Sequence, residues 1–254
     1  MLKVRVIPCL LLRGKGLYKT KKFKDPVYIG DPVNAVRIFN EKEVDELIFL
    51  DIAASLEGNG PNFELLTDIS GEAFMPLAYG GGVTTLAEME KIFKLGFEKI
   101  ILNTSLFKNE SLVKEAVSNF GSQSIVASVD VRKSFWGKYE VFCKSGTQKV
   151  DYSPLEACDH AQVLGVGEIF LNSIDCDGLM TGMDISLIKS VSPSVDVPLV
   201  ACGGAGSLGH LQEAIAVGGA SSVAAGSFFV FHGKHRAVLI TYPSQKEIEE
   251  VFPV

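Results

Sequence analysis

Short apolar runs alternate with longer stretches in which apolar residues recur every three or four positions, and this alternation continues from end to end. The short runs read "VRVIPCLLL", "DELIFLDIAA", "MPLAYGGG", "EKIILNTS", "SIVASVDV", "GEIFLNSID", "VPLVACGG" and "SSVAAGSFF", which predicts eight strands. Between them the helical period predicts helices over 32–40, 62–69, 86–95, 110–119, 154–164, 185–191 and 208–217. Nearly every strand-like run is followed by Gly, Asn, Asp or Ser, residues that turn a strand and then cap the next helix. Strand, loop and helix repeated in this way imply parallel strands, and eight is the number a closed barrel needs. The expected fold is therefore α/β, a single (β/α)8 TIM barrel over residues 1–254. One segment breaks the rhythm: "SFWGKYEVFCKSGTQKV", after the fifth strand, predicts a β-hairpin insertion with Gly146 in its turn.

The two halves echo each other. "ELIFLDIAASLEG" matches "EIFLNSIDCDG", "YGGGVTTL" matches "CGGAGSL", and "LNTSLF" matches "AGSFF". These are strands two and six, three and seven, and four and eight, so the barrel has a fourfold-plus-fourfold internal repeat in which strand one pairs with strand five. Laying "IPCLLLRGKG" over "VASVDVRKSF" puts Leu11 opposite Asp130. Leu11 thus stands where symmetry would have placed a second aspartate.

Composition narrows the function classes. With 254 residues and 47% apolar content the chain can bury one large core. A net charge of −6 argues against a general nucleic-acid binder, because neutralising phosphates needs a cationic face. Basic residues do cluster in "RGKGLYKTKKFK", between Arg13 and Lys24, either as a solvated loop or as a loop that meets a phosphorylated substrate. The five cysteines, at 9, 143, 158, 176 and 202, have neither metal-ligand spacing nor a paired framework, which fits reduced thiols in a cytoplasmic protein. No apolar run is long enough to span a bilayer, and the first residues do not form a signal sequence. Histidines 160, 210, 232 and 235 form no metal or Ser/His/Asp spacing and read as surface or packing residues, so no metal and no cofactor are expected.

In such a barrel, chemistry sits at the carboxyl ends of the strands. Gly80-Gly81-Gly82 with Asn103-Thr104, and Gly203-Gly204 with Gly226-Ser227, are two matched sets there. Glycines let backbone N–H groups approach an anion, and a helix N-terminus adds the positive end of its dipole. Duplicated on opposite rims, the sets suit a ligand with a phosphate or similar anion at each end. Acids on the same rim are Asp51, Asp130, Asp175 and Asp177. Each could be a helix cap or the partner of a nearby cation; Asp130, ending an apolar strand, is best placed for partial burial and acid–base work.

The blocks "IPCL", "GDPVNAVRIFNEKEVDELIFLDIAAS", "YGGGV", "FGSQSIV", "VDVRK", "GVGEIFLNSID", "DGLMTGMDISLIKSV", "VPLVACGGAGSL" and "AAGSFF" together resemble the cyclase subunit of imidazole glycerol phosphate synthase, the HisF family, across essentially the whole chain. The resemblance implies a HisH-like glutaminase partner whose ammonia crosses the barrel axis and attacks an open ribulose-phosphate intermediate of histidine synthesis. It implies two catalytic aspartates, ending strands one and five. The family's phosphate-binding positions fall on Gly82, Asn103 and Thr104 on one side, and on Asp177, Gly178, Gly203, Gly204, Gly226 and Ser227 on the other. Its mobile-loop lysine falls on Lys19. Arg5, Glu46, Lys99 and Glu168, at the amino ends of strands one, two, four and six, match its salt-bridged ammonia gate, although such a cluster could also merely close the barrel floor. Glu98, beside the gate lysine, is the expected partner contact.

Three departures change that expectation. The first catalytic aspartate falls on Leu11, which transfers no proton, while the second is kept as Asp130. The usual threonine before "SID" is Asn172, and the end of the chain reads "FFVFHGKHRAVLITYP", without the family's long final amphipathic helix. These features resemble the HisF paralogues of bacterial surface-polysaccharide clusters, which implies work with a HisH-like glutaminase and a sugar amidotransferase that makes acetamidino groups. The expected protein conducts ammonia toward a phosphorylated or sugar-nucleotide small molecule, with histidine-pathway cyclase activity impaired or lost. The alternatives are a genuine cyclase in which Asp51 or Asp177 replaces the missing acid, the sister isomerase of the pathway, which also needs an acid on strand one and lacks the gate, and a non-catalytic scaffold.

Overall fold

The computed structural model describes residues 4–252. Eight parallel strands form its centre: β1 (Val6–Arg13), β2 (Leu47–Asp51), β3 (Leu77–Gly80), β4 (Lys99–Leu102), β5 (Ile125–Lys133), β6 (Glu168–Ser173), β7 (Leu199–Cys202) and β8 (Ser222–Ala225). Each pairs with the next, β8 pairs with β1, and the sheet closes. The expected TIM barrel is the observed fold.

Besides the short helical turns Ala54–Glu57, Thr104–Lys108 and Ser227–Val230, the helices are α1 (Pro32–Glu41), α2 (Phe63–Glu72), α3 (Leu86–Lys94), α4 (Glu110–Phe120), α5 (Pro154–Val163), α6 (Ile185–Val191), α7 (Leu208–Ala216) and α8 (Gln245–Val251). The loop residues that mark their starts do so chemically. Asp31, Asn62, Thr85, Asn109, Ser153, Asp184, Ser207 and Ser244 each accept a hydrogen bond from a backbone N–H of the first turn. Each such cap stabilises its helix by about 1 kcal/mol. The final helix is present but only seven residues long. The segment before it is tied to the floor, where Tyr242 is buried and donates to the Val6 carbonyl.

Strand alternation divides the apolar residues into two cores. Leu10 and Leu12 of β1 face the shell between barrel and helices, whereas Ile7 and Cys9 face the axis with Ile48, Ala78, Ile101, Val126 and Phe170. The axis is therefore lined mainly by apolar side chains between two polar ends.

Two insertions at the mouth depart from the simple repeat. The predicted hairpin after β5 is present with Gly146 in its turn, between Tyr139–Cys143 and Gln148–Lys149. Tyr139–Cys143 also pairs with an extended β5, so the insertion is a three-stranded ribbon. The basic stretch between Arg13 and Lys24, expected as a loop, is instead part of a hairpin of Gly16–Lys21 and Lys24–Gly30 that pairs with β1. Its outer strand is largely exposed while Lys19 and Thr20 are buried, because the hairpin folds over the barrel mouth.

Candidate active site and charged floor

At the mouth, register turns the internal repeat into geometry. Leu11 of β1 pairs with Leu50 of β2, and Asp130 of β5 pairs with Asn172 of β6. Each residue lies two or four places along its strand from a member of the axial core, so all four belong to the axial face. One half-barrel therefore presents two leucines and the other an acid and an amide.

Asp130 is buried, and Ser128, two residues earlier on the same face, donates to its Oδ1 at 3.1 Å. Burial pushes its carboxyl up to about 7, against the weaker opposing effect of the Ser128 hydrogen bond. A group poised there exchanges a proton at neutral pH. The shift has a stability consequence. Between about pH 4 and pH 7 the folded chain keeps a proton that the unfolded chain releases, so stability falls as pH rises through that window. Three units at about 1.4 kcal/mol each make the loss on the order of 4 kcal/mol above pH 7. Asp130→Asn is expected to change stability little near pH 4 and to raise it at pH 8 by up to that amount, as read by urea denaturation at both values.

Asp130 and Ser128 line a cavity of about 380 Å³ that opens over the β2–β5 half of the mouth. Its wall includes Gly80, Gly81, Gly82, Asn103 and Thr104, the first of the two glycine sets. Gly82 has φ +69°, and a Cβ there would lie 2.8 Å from the Ala54 Cβ and 2.5 Å from the Asn59 carbonyl oxygen, so only glycine fits without displacement. Asn103 holds the wall together by donating to the Ser128 and Phe142 carbonyls, and Thr104 Oγ1 accepts from the Lys144 N–H. Asp51 lines the same cavity, yet its Oδ1 accepts from the N–H groups of Ala53 and Ala54, a turn cap, and burial raises its pKa. Ser55, Ser145 and Thr147 also line the cavity and were not singled out from sequence; Arg13, which opens the basic stretch, lines it too. Arg13 carries the readable signal, a cation at the carboxyl end of a barrel strand; Ser145 and Thr147 arrive through the folding of the ribbon.

The second glycine set is not open. Lys19 Nζ donates to the Cys9 carbonyl at 2.7 Å, and a Cβ on Gly226 would collide with that nitrogen. Thr20 Oγ1 donates to Asp177 Oδ2 at 2.8 Å, and a Cβ on Gly178 would run into the Thr20 carbonyl. Arg236 donates to the Gly178 and Leu179 carbonyls. The hairpin after β1 thus covers Asp177, Gly178 and Gly226, with the pKa of the buried Lys19 amine lowered by burial, whereas Gly203 and Gly204 pack against Asn172, Ser173, Cys176 and Gly182. Asp175 accepts from the Lys133 N–H, a structural pairing.

At the opposite end, Arg5, Glu46, Lys99 and Glu168 form a ring. Arg5 reaches Glu46 at 2.6 Å and also Glu168; Lys99 reaches Glu46 at 3.0 Å and Glu168 at 3.2 Å. Each cation bridges both anions, so the charges alternate and neutralise one another. Both carboxylates are buried while Arg5 and Lys99 are partly open to solvent. Glu98 is exposed immediately beside Lys99.

A closed (β/α)8 barrel with an acid and a glycine-walled cavity at its mouth, an apolar axis and an ionic ring at its floor is a recognisable class of molecule. Comparison with known proteins makes it specific. The family model described as Histidine biosynthesis protein matches residues 5–236, and the chain belongs to that family, among the HisF-like subunits of imidazole glycerol phosphate synthase. It is 54% identical over 249 residues to a Pseudomonas aeruginosa protein provisionally named imidazole glycerol phosphate synthase subunit hisF2, covering 98% of this chain and 99% of that one. A provisionally named subunit hisF3 of Vibrio vulnificus is 46% identical over 248 residues, 97% of this chain and 95% of that one. The imidazole glycerol phosphate synthase subunit HisF of Alkaliphilus metalliredigens is 37% identical over 232 residues, 91% and 92% of the two chains.

Proposed function

We propose that this barrel is a cytoplasmic ammonia-conducting subunit. A HisH-like glutaminase docks beneath its floor, and ammonia crosses the axis to the mouth for use in amidino-sugar synthesis with a sugar amidotransferase, rather than for imidazole ring closure. The observation that carries this reading is the pairing of an intact four-charge ring at the floor with Leu11 at the mouth, where the family's cyclase has an acid. A barrel that had lost both its reaction and its nitrogen supply would have no use for buried ions, which are costly to keep. Against a pure scaffold stands the acid Asp130, poised near neutral pH in an open cavity. The genuine cyclase is the second reading, favoured by one fact: Asp51 borders the same cavity as Asp130.

At the mouth, Gly82, Asn103 and Thr104 form the anion subsite for the phosphorylated or sugar-nucleotide ligand, and the second set becomes available when Lys19 and its hairpin move away. Gly82→Ala is expected to weaken binding of inorganic phosphate at least tenfold by calorimetry, since the new methyl displaces the wall at Ala54 and Asn59. Unchanged phosphate affinity would place the anion elsewhere.

Docking is tested from below. Glu98→Lys is expected to slow association with the cognate glutaminase about tenfold and to reverse its salt dependence, because an exposed rim charge acts mainly on encounter. Surface plasmon resonance at two ionic strengths reads both. An unaltered on-rate, or a footprint on the mouth face, contradicts a floor-docked glutaminase.

A further inference from the structure

Charge is not spread evenly over this chain. The three segments that overhang the mouth, 13–30, 131–149 and 231–238, carry thirteen Lys and Arg against Asp25 and Glu140, whereas the whole chain has 24 Lys and Arg against 30 Asp and Glu and a net charge of −6. The mouth is therefore cationic and the rest of the barrel acidic. The last segment, a hairpin of Phe231–His232 and Ala237–Val238, belongs to this face because its Arg236 holds the Gly178 and Leu179 carbonyls. Lys21, Lys22, Lys24, Lys138 and Lys234 are exposed and form no ion pair among the described residues. Lys21 lies directly opposite Lys24 across the turn of the hairpin after β1. Like charges so placed weaken a hairpin, and an anionic surface brought against them removes the cost.

Apolar surface stands on the same face. Phe135 and Trp136, at the tip of the ribbon after β5, are 94% and 89% exposed, with ring centroids 5.4 Å apart. Their turn is not slack: the Ser134 N–H donates to the Lys138 carbonyl, the Lys138 N–H to Ser134 Oγ, and the Gly137 N–H to the Ser134 carbonyl. Below it, Asp184 accepts from the Tyr139 hydroxyl at 2.8 Å and pairs with Lys133 at 3.2 Å, which ties the ribbon to the start of α6. By register the tip stands roughly 13 Å beyond Asp130, four residues at about 3.3 Å each, so a small molecule in the cavity cannot cover it. Val27 and Tyr28 are exposed on the hairpin after β1, whose Phe23 packs against the ribbon at Gly146. Scattered apolar residues need no explanation, but two touching aromatics held rigidly in water among cations mark a surface for a macromolecule.

We infer that the mouth face is a docking surface for the enzyme that consumes the ammonia, a protein whose contact face is acidic and has an apolar recess for Phe135 and Trp136. This rests on the proposed conduction of ammonia. An open mouth loses ammonia to solvent, and a protein seated on the three segments closes the route above the cavity. The rim cations steer an acidic partner and set its orientation, while the aromatic pair is its buried anchor. A lipid surface fits less well, since a bilayer laid over the mouth would seal the cavity from its ligand.

The test is surface plasmon resonance between the full-length barrel and the purified sugar amidotransferase, at low and high salt and without glutaminase. The unmodified chain is expected to bind, more tightly at low salt. Phe135→Ser combined with Trp136→Ser is expected to weaken affinity at least tenfold, mainly through faster dissociation. Lys21→Glu combined with Lys24→Glu is expected to slow association about tenfold and to lessen the salt dependence, and Glu98→Lys to change neither. All these side chains are exposed, so the fold is kept. Absence of binding, equal affinity in the aromatic variant, or loss of binding in Glu98→Lys would overturn the docking surface. So would tighter binding to phosphatidylglycerol vesicles, or self-association in the ultracentrifuge, that the aromatic changes abolish; these would give the face to a membrane or to a second copy. Failure of the surface and failure of conduction are distinguishable. Retention of glutamine-derived nitrogen in the product, with binding unchanged in the aromatic variant, removes the surface alone, whereas loss of that nitrogen to solvent with docking intact removes conduction alone.

Discussion

Given the ribulose-phosphate intermediate of histidine synthesis and an ammonium salt, the purified barrel is expected to close the imidazole ring roughly 100- to 10,000-fold more slowly than a barrel with both acids, the factor that one positioned proton-transfer group contributes. Leu11 belongs to the axial face of β1, in register with Leu50, and the structure supplies no acid at that place. Asp51 does not replace it, because one of its oxygens is committed to the turn at Ala53 and Ala54. Asp177 does not either, because the hairpin after β1 holds it through Thr20 and the Phe23 N–H. Leu11→Asp is expected to restore part of the rate. Recovery stays partial, since the new carboxylate would face Leu50 in an apolar setting and Asn172 also differs from the family's usual threonine. Product formation in steady state reads both results, and robust turnover by the unmodified chain would return the molecule to histidine synthesis.

Lys99→Met is expected to have the second large effect. It keeps the bulk of the side chain and removes one of the two cations that Glu46 and Glu168 share. Arg5 remains to pair with both carboxylates. The loss of stability should therefore sit near the lower end of the range for breaking a buried ion pair, about 3 kcal/mol in urea denaturation. The functional consequence is separate. With a glutaminase bound, glutamine hydrolysis continues, transfer of its nitrogen to product falls severalfold, and free ammonia appears in solution. Phosphate binding at the mouth is unchanged, because the ring and Gly82 lie at opposite ends of the barrel. Fully coupled transfer after each ring charge has been removed in turn would reduce the ring to a structural floor.

How much of this was readable in the sequence follows from what each feature depends on. The barrel strands and helices were legible because each carries its own signal, an apolar run or a helical period, and a capping side chain such as Asp31 or Ser153 at the junction. The equivalence of Leu11 and Asp130 was legible from the internal repeat alone. The hairpin of Gly16–Lys21 and Lys24–Gly30 was not: its outer strand is exposed, so its sequence carries the charges of a loop, and its pairing is a long-range consequence of β1. The burial of Lys19 was hidden for the same reason, since a lysine among lysines gives no sign that one amine will reach the Cys9 carbonyl. Ser128 was two places from Asp130 on one face and could have been read from strand alternation. The four ring residues were individually visible, but the alternation of their charges exists only once the barrel has closed.

The most direct measurement of ammonia conduction is isotope competition in the complete system of barrel, glutaminase and sugar amidotransferase. Glutamine labelled with 15N at the amide is supplied together with a large excess of unlabelled ammonium in the buffer, and the aminated product is analysed by mass spectrometry. If ammonia travels through the axis between the charged floor and Asp130, the product retains the 15N label despite the excess. If the label is diluted to the level of the bulk ammonium, ammonia reaches the acceptor through solvent, and this barrel is not its route.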